Sequence, residues 1–539
     1  MIQSNKVKTP LSWLWIVPTI LVIAFSVLMV VPLVGMFFHM DAESIRMVFT
    51  EDSIFSVIWN SVLSSGLTTV ISLVLAYCLA WCLERTAMRG KRVFRLLLTL
   101  PMLIPTVSIG MGAVLLGGNN GIITNLLGLD HGEVYGLFGV VYGSVMHFLP
   151  VAFLMMVNTL RFEDSSPYDA AHVLGISKIR QFFSITLPYL RKPLIATAFS
   201  VFTLCFTDYG VPLMVGGKFK TLPVLMYQEV IGQLDFGKGC VYGSILLVPA
   251  IVAFLLDLAN KNQSNSAFVI RPFAITRQLW RDLTATVYTV IMSIFSLLPI
   301  VSFVVLAFVR KYPSDMTLTL DNFVKTFDMG AGTYLLNSVL MSVGVSVVGV
   351  MIGILTAYAT ARIPSKVSRA LHLIAMATGA VPGVVLGLAY VLFFKGSPLY
   401  GTLMILVMVN TIHFFASPYL MMQTSFSKVN QNLGAVASTL GIGKLQLLLG
   451  ILLPQCKRTV REMFSYFFVN SMMTISAVSF LFNTNNKPIA LMINQFEAQA
   501  QMEAAAVVSL LILIVNVAVK VLVQGDETAT ENNRRKQAK

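Results

Sequence analysis

Four residues in apolar stretches of the sequence could act on a solute or on a proton. Asp208 and Tyr209 follow each other in one such stretch, and His147 and His413 lie near the middle of two others. An ionisable side chain inside a membrane costs about 2.5–3.5 kcal/mol or more, so it is a functional candidate. All four are candidates to line a pathway or a gate. For Asp208 we weigh this equally against a capped carboxylate near the outer end of a helix, and for each histidine an interhelical hydrogen bond is the favoured role.

The sequence carries no motif for catalysis by this chain itself. A nucleotide-binding loop of the form G-x-x-x-x-G-K-[ST] is missing, and the nearest string, GIGK at 441–444, lacks the first glycine and the final hydroxyl residue. The strings H-E-x-x-H and G-x-S-x-G are missing too. The five cysteines show no metal-ligand spacing, and their odd number argues against a disulfide framework. We therefore expect no enzymatic activity, no metal site and no cofactor in this chain.

The most specific pattern is a segment that occurs twice. Residues 169–188 read DAAHVLGISKIRQFFSITLP, and residues 435–454 read AVASTLGIGKLQLLLGILLP. In both, an alanine two residues after the start is followed four residues later by a glycine (Gly175 or Gly441), nine further residues, and then Ile-x-Leu-Pro. Apolar residues also recur at i, i+3, i+6 and i+7, as they do on one helix face. The chain therefore consists of two repeats, each with one copy of this loop.

The loop predicts two short helices that meet at the glycine. Glycine costs roughly 1 kcal/mol inside a helix, so a glycine at the same place in both copies predicts a bend. Ser177 is placed to cap the helix that follows Gly175. Pro188 and Pro454 are expected to end that helix. The alternative is a pair of amphipathic helices that only rest on the bilayer surface.

The doubled segment resembles the EAA loop of ABC importer permeases, in which E-A-A, three residues, Gly, nine residues and Ile-x-Leu-Pro follow one another. The first copy has Asp169 in place of Glu, and then the matching residues Ala170, Ala171 and Gly175. In the second copy Ala435 stands where the acid belongs, and Val436 replaces the first alanine. The matching residues of the second copy are Ala437 and Gly441. The resemblance implies that these loops couple the chain to a cytoplasmic ATPase, and that an acidic contact is possible only in the first copy.

The composition is that of a polytopic membrane protein. Hydrophobic residues make up 56% of the 539 residues and charged residues 12%, and the mean hydropathy is +0.79. Soluble domains carry about 25% charged residues. The net charge of +14 comes from short basic clusters between apolar runs, which is typical of cytoplasmic loops of membrane proteins. We therefore expect a lipid bilayer around the chain and no nucleic-acid partner.

Twelve apolar segments predict twelve transmembrane helices. The first is too long for the core of a signal peptide and follows Lys6 and Lys8. The predicted spans are 11–38, 56–82, 93–117, 135–159, 193–215, 240–259, 286–308, 334–360, 370–394, 402–424, 461–483 and 503–523. Most of the 38 Lys and Arg residues then fall on the side of the N-terminus. The positive-inside rule thus places both termini and both loops in the cytoplasm.

These spans divide the chain into a first six-span repeat at 1–259, a cytoplasmic linker at 260–285, a second six-span repeat at 286–523 and a cytoplasmic tail at 524–539. Six spans separate the two loops, and because this number is even, the repeats are parallel. Further pairs support the repeat: Asn60-Ser61 with Asn337-Ser338, and Pro105 and Gly110 with Pro382 and Gly387. The last two pairs could loosen spans three and nine, or allow close helix packing.

The predicted fold class is an all-α polytopic membrane protein with about twelve helices in two parallel repeats. The resemblance implies the type I ABC importer permease fold, two copies of an ATPase subunit that binds ATP, an extracytoplasmic substrate-binding protein and a place in the bacterial plasma membrane. Segments 207–217 and 474–482 resemble permeases for ferric iron or 2-aminoethylphosphonate, and the string at 208–212 favours the phosphonate. The alternative is an ion-coupled secondary transporter, which predicts paired acids inside the membrane. A channel would need a charged ring or a filter string, and the sequence shows neither.

Overall fold

The computed structural model describes residues 12–51, 53–128, 132, 134–260, 271, 273–363, 365–430 and 432–537. The basic residues Lys6 and Lys8, the start of the first predicted span at Leu11, and Lys261 in the linker lie outside these ranges. The regular secondary structure of the described chain is helical apart from one short hairpin.

The first half forms helices wherever the apolar segments predict them, with additional short helices between. The helices are α1 (Ser12–Phe25), α2 (Val31–Phe38), α3 (Ala42–Thr50), α4 (Ile54–Arg85), α5 (Lys91–Thr99), α6 (Thr106–Gly117), α7 (Ile122–Leu127), α8 (Leu137–Arg161), α9 (Ser166–Val173), α10 (Lys178–Gln181), α11 (Leu187–Phe206), α12 (Gly210–Val215), α13 (Leu222–Tyr227) and α14 (Phe236–Asn260). Three π-helical turns interrupt this half, at Ser26–Val30, Phe182–Thr186 and Gln228–Gly232, and a 3-10 turn covers Leu100–Leu103.

The second half repeats much of this order. Its helices are α15 (Leu279–Phe308), α16 (Asp321–Asp328), α17 (Ala331–Arg362), α18 (Lys366–Ala377), α19 (Gly383–Phe394), α20 (Leu403–His413), α21 (Ala416–Lys428), α22 (Leu433–Thr439), α23 (Lys444–Leu447), α24 (Leu453–Gln455), α25 (Lys457–Met473), α26 (Leu491–Ala498) and α27 (Met502–Gln537). A 3-10 turn covers Thr378–Ala380, and a π turn covers Leu448–Leu452. Between α15 and α16, β1 (Val309–Lys311) pairs with β2 (Asp315–Leu318) as an antiparallel hairpin.

Predicted spans three and nine are broken at a proline in both halves. Pro105 lies directly before α6 and Pro382 directly before α19, each with an extended or polyproline-like backbone. Because proline donates no backbone hydrogen bond and disfavours a helical residue before it, the helix stops and restarts there. The break in the second half bends the chain by 108° between 366–380 and 383–394. The prolines therefore do more than loosen these spans.

Counted by helix length and apolar composition alone, the candidate spans are fewer than the twelve predicted. In the described part of the chain, 8 helices are long and apolar enough to cross a membrane, or up to 10 if each bent pair forms one span. Predicted spans five and eleven (193–215 and 461–483) lack such a helix. The reason is that α11 ends at Phe206 and α25 at Met473, well before the predicted ends, and that both begin with charged residues: Arg191 and Lys192 in α11, and Lys457, Arg458, Arg461 and Glu462 in α25.

The chain divides into two compact units that do not follow the two sequence repeats. The first-loop unit consists of Asp41–Ala331 and Ala490–Leu513. In it α4 packs against α8 and α11, and α6 packs against α8, α12 and α15. Its core is formed by buried apolar residues of α4, α8 and α11, among them Leu79, Phe153 and Val201. The opening helix of the second repeat, α15, thus belongs to the core around the first loop.

The second-loop unit consists of Met1–Met40, Gly332–Ile489 and Ile514–Lys539. Here α1 packs against α18, α2 packs against α19, and α21 packs against α25. Phe25 of α1 meets the ring of Phe415 edge-on, with 4.7 Å between ring centroids. The opening helix of the first repeat therefore belongs to the core around the second loop. Each repeat contributes its opening helix to the unit of the other.

Candidate coupling loops and pathway residues

The first loop is a helix, a left-handed glycine and a second helix. Helix α9 ends at Val173, and Gly175 has φ +67°. The N–H of Ile176 donates to the carbonyl of Ala171 at 3.0 Å, which closes the last turn. This is a Schellman-type end, and it requires a residue that tolerates positive φ. Gly175 therefore sets the bend that the sequence predicts.

The second loop has the same backbone. Gly441 follows α22 with φ +71°, and the N–H of Ile442 donates to the carbonyl of Ala437 at 2.9 Å. An added Cβ at either glycine would meet no described atom within 4 Å. Backbone conformation alone therefore explains why glycine is needed in both copies.

Two details of the loop prediction are wrong. Ser177 precedes α10, but its side chain makes no capping hydrogen bond within the described chain; instead its carbonyl accepts from the N–H of Gln181 at 2.9 Å. Pro188 does not end the helix. It lies at the second residue of α11, directly after the π turn, where the regular i to i−4 hydrogen bonds are already interrupted, so a residue without an N–H is accommodated. Pro454 likewise lies inside α24, and the backbone departs from helical geometry only at Cys456.

The two loops expose apolar side chains at matching positions. Three apolar pairs share this property. They are Leu174 and Leu440 (75% and 68% exposed), Ile179 and Leu445 (75% and 52%), and Phe183 and Leu449 (63% and 56%). Asp169 and Ala170 are also exposed, whereas Ala171 and Ala437 are buried. Ala171 and Ala437 thus face the loop's own body. The exposed apolar residues form a candidate docking surface on each loop.

At the base of the first loop, a buried ion pair joins three elements. Arg85, the last residue of α4, pairs with Glu163 and donates to the carbonyl of Leu160 at 2.8 Å. The phenol of Tyr168, on α9, donates to the other carboxylate oxygen of Glu163 and contacts the hydroxyl of Thr186 at 2.7 Å. Burial and the hydrogen bond to the Glu163 carboxylate raise the pKa of Tyr168. This network fixes α9 to the ends of α4 and α8.

The base of the second loop keeps the arginine and loses the acid. Arg362, the last residue of α17, donates to the carbonyls of Phe426 and Val429 at 2.8 and 2.7 Å, and to that of Asn430 at 3.2 Å. The position of Glu163 is taken by Val429, and that of Tyr168 by Gly434. Sequence reasoning missed both arginines. A detectable signal was that each arginine ends the long helix whose early turns contain the Asn-Ser string of that repeat.

Asp208 caps a short helix. Its two carboxylate oxygens accept from the N–H groups of Gly210 and Val211 at 3.3 and 3.1 Å, and it forms a hydrogen bond with the hydroxyl of Thr106. This is the geometry of an N-cap, in which a carboxylate satisfies free N–H groups. Tyr209 is buried, and its ring stacks on Tyr227 with 4.9 Å between centroids. The structure therefore brings Asp208 and Tyr209 to the junction between α11 and α12.

The two histidines differ in their surroundings. The ring of His413 forms a hydrogen bond with the backbone of Val381, beside Gly383, where an added Cβ would lie 3.0 Å from the histidine Nε2. His147 meets Phe148 edge-on, at 4.9 Å. Among the residues that the structure describes, the Nδ1 atom of each histidine has no hydrogen-bond partner. His413 thus makes a contact between separate chain segments, as the interhelical role would require.

The Asn-Ser strings, which the sequence shows only as a repeat, bind the segment that follows predicted span five in the first repeat and span eleven in the second. Ser61 accepts from the N–H of Leu222 at 2.8 Å, and Ser338 accepts from the N–H of Ile489 at 2.7 Å. The preceding asparagines donate to carbonyls of the same segments: Asn60 to Lys220 at 3.1 Å, and Asn337 to Asn485 at 2.9 Å. The Asn-Ser string is therefore a backbone anchor, built once in each repeat.

Comparison with known proteins agrees with this geometry. Residues 76–261 and 349–525 each match the family described as binding-protein-dependent transport system inner membrane component. The chain is 25% identical to the ferric transport system permease protein FbpB of Actinobacillus pleuropneumoniae over 491 residues, which are 88% of this chain and 71% of that protein.

A candidate ferric transport system permease protein of Haemophilus influenzae, FbpB 1, is 25% identical over 84% of this chain and 75% of its own length. A candidate 2-aminoethylphosphonate transport system permease protein of Salmonella typhi, PhnU, is 27% identical over 20% of this chain and 38% of its own length. A secondary transporter is excluded by the family match, which covers two thirds of the chain. The chain belongs to the family of binding-protein-dependent transport system inner membrane components, as a multi-pass importer permease whose ATPase is a separate subunit.

Proposed function

We propose that this chain forms the membrane pathway of a ferric-iron importer and that an ATPase docks on each of its two loops. The observation that carries the docking is the repeated loop geometry: a left-handed glycine at 175 and 441, and exposed apolar pairs around it. An exposed apolar patch on a membrane protein's polar loop favours a protein partner. Two such loops favour two ATPase copies, each of which binds ATP in its own subunit.

The orientation follows from the basic residues. Both loops and both termini lie in the cytoplasm, because most Lys and Arg residues fall on that side of the predicted spans. The substrate-binding protein then meets the opposite face, in a bacterial plasma membrane. Asp169 provides an acidic contact for the ATPase on the first loop only, since Ala435 occupies its place on the second.

The first loop is connected to the pathway candidates by continuous helix. From Lys178 to Phe206, the helical turns of α10, the π turn and α11 follow without a gap, a length of about 40 Å at 1.5 Å per residue. Asp208 and Tyr209 follow one residue beyond its end. A push on the loop therefore moves α11 and the junction that Asp208 caps, which opens or closes the pathway.

The choice of ferric iron rests on alignment length. The two ferric relatives align with 88% and 84% of this chain, across both repeats. The phosphonate relative aligns with 20%, so 2-aminoethylphosphonate is the second candidate, supported by the string at 208–212. Asp208 offers carboxylate oxygens, and His147 and His413 offer imidazole nitrogens, which are among the ligands of iron in proteins.

Docking is tested by charge substitutions on the exposed leucines. We expect Leu174→Asp and Leu440→Asp each to lower the amount of ATPase that co-purifies with the chain, and the double variant to abolish it. Leu318→Asp, at a leucine 79% exposed on the hairpin, is the matched control and should retain the ATPase. Retention by the double variant at the wild-type level would exclude the loops as the docking site.

Substrate is tested in proteoliposomes that contain the chain, its ATPase and its binding protein. We expect ATP-dependent uptake of radioactive iron delivered as the loaded binding protein, and no uptake of labelled 2-aminoethylphosphonate. The reverse result would assign the phosphonate and overturn the iron proposal, while it would leave the docking proposal intact.

A further inference from the structure

The described residues of the segment that joins the two repeats, Arg271 and 273–282, pack on the base of the first loop. Arg271 and Asp164 lie side by side: the N–H of Ser165 donates to the carbonyl of Arg271 at 3.0 Å, and the N–H of Arg271 donates to the carboxylate of Asp164 at 3.1 Å. Asp164 also accepts from the N–H of Ser166 at 3.2 Å, at the start of α9. The linker is thus bonded to the turn from which the coupling helix begins.

Phe273, two residues further on, fills the space between α4 and α9. The guanidinium carbon of Arg85 lies 3.7 Å from the centre of the Phe273 ring. On another side the ring of Tyr168 meets Phe273 edge-on at 5.1 Å. A cation–π contact and an aromatic pair each contribute to stability beyond simple burial. Phe273 therefore touches both the arginine and the tyrosine that hold the buried Glu163.

The linker is fixed at its other end as well. Asp282, in the first turn of α15, accepts from the N–H of Ala87 at 3.0 Å and from the N–H of Gln278 at 3.1 Å. Ala87 follows Arg85 by two residues. Arg271 and residues 273–282 therefore connect the start of α9 to the end of α4, with bonds at both ends and an aromatic side chain between them.

We propose that this linker clamps the first coupling loop, with Phe273 as a positioning residue for the transfer of motion from the ATPase. The proposal rests on the docking proposed above. The clamp holds α9 on Arg85 and Glu163, so force applied to the loop passes into α4, α8 and α11 rather than into local unfolding of α9. The second loop has neither the acid nor the tyrosine at the matching positions, Val429 and Gly434. Fusion of the two repeats thus supplies the linker residues that support the first loop.

The clamp is tested on the purified full chain by amide hydrogen exchange. We expect Phe273→Ala to speed exchange in α9 by about tenfold, with α22 of the second loop unchanged. Phe273→Tyr should restore protection, because it keeps the ring. Ile275→Ala is the matched control: Ile275 lies in the same segment, is 41% exposed, and should leave α9 at the wild-type rate. Phe273→Leu keeps apolar volume without the ring, and its exchange rate in α9 should be close to that of Phe273→Ala.

Unchanged exchange of α9 in both Phe273→Ala and Phe273→Leu would overturn the clamp, as would an equal rise in α9 and α22. The coupling part is measured as the dissociation rate of the ATPase from the solubilised complex. It should rise several-fold in Phe273→Ala and stay unchanged in Ile275→Ala. A wild-type rate in a complex whose α9 has loosened would overturn the positioning role. A wild-type chain that binds no ATPase would instead contradict the docking proposal, and the exchange result would still decide the clamp.

Discussion

The two loops share a backbone and differ in what holds it. Both copies end their first helix at a left-handed glycine. Each has a π turn, and the two turns lie at matching positions 266 residues apart. Each copy also adjoins an arginine that ends a 32-residue helix. In the first copy that arginine meets a buried carboxylate, a tyrosine and the linker. In the second it meets only backbone carbonyls among the hydrogen bonds of the described residues. Duplication has thus preserved the shape of the loop, while the attachment of the loop to its body has diverged.

The largest expected difference concerns the two arginines. Arg85→Met leaves the Glu163 carboxylate buried without its partner, which costs about 3–5 kcal/mol of unfolding free energy. Arg362→Met removes hydrogen bonds to carbonyls and leaves no charge behind, so it should cost about 1.5–3 kcal/mol. Unfolding titrations of both variants in the same detergent measure this gap. Equal costs would mean that the Glu163 carboxylate adds nothing to the first loop, and the comparison would fail.

A second comparison concerns a close contact that occurs once in each repeat, between a glycine and a residue with a hydroxyl group. In the first repeat an added Cβ at Gly210 would overlap the Thr106 hydroxyl; in the second, an added Cβ at Gly383 would overlap the Ser476 hydroxyl. Gly383 stands at the position of Thr106, and Ser476 at that of Gly210. Each repeat therefore holds one hydroxyl there, and the two repeats place it on opposite partners.

This exchange predicts a rescue. Gly210→Ser should destabilise the chain by about 1–3 kcal/mol through overpacking. The double variant Thr106→Gly with Gly210→Ser recreates the arrangement of the second repeat and should recover part of that loss. Thermal unfolding of the single and double variants decides it. Additive losses in the double variant would show that the two positions do not share a space.

Much of this frame could be predicted from the sequence, because it depends on local rules. The glycine bend follows from positive φ, and the breaks at Pro105 and Pro382 follow from proline's missing donor. The placement of α1 in the second-loop unit and of α15 in the first-loop unit could not be predicted. Hydropathy identifies an apolar helix but does not indicate which helices pack against it. The early ends of α11 and α25 were missed for a related reason: apolar residues continue beyond Phe206 and Met473, although the backbone turns there. Among the site residues, Gly175 and Gly441 were found by spacing, whereas Glu163 and Phe273 carry no pattern that separates them from other residues of a polar loop.

The glycines themselves should behave alike in both repeats. Alanine at a left-handed position costs about 1–2 kcal/mol, and neither site adds a steric clash. Gly175→Ala and Gly441→Ala should therefore lower the unfolding free energy by the same amount. Amide exchange at Ile176 and Ile442, whose N–H groups close the two helix ends, gives a local measurement. A clearly larger effect in one loop would show that the shared backbone is not supported equally.

The smallest expected effect is a pH dependence present in one repeat only. The N–H groups of Ser166 and Arg271 hold the pKa of Asp164 below its ordinary value of 3.8. Its stabilisation is therefore complete at neutral pH and is lost as the pH falls below 3.8. At the matching position Asn430 accepts from the N–H of Asn432 at 2.9 Å with an uncharged amide. Asp164→Asn should thus be slightly less stable than the wild type at pH 7, and this difference in stability should disappear below pH 3.8. Asn430→Asp should introduce the same pH dependence of stability into the second loop. Parallel pH profiles for Asp164→Asn and the wild type would show that the carboxylate charge does not stabilise the first loop.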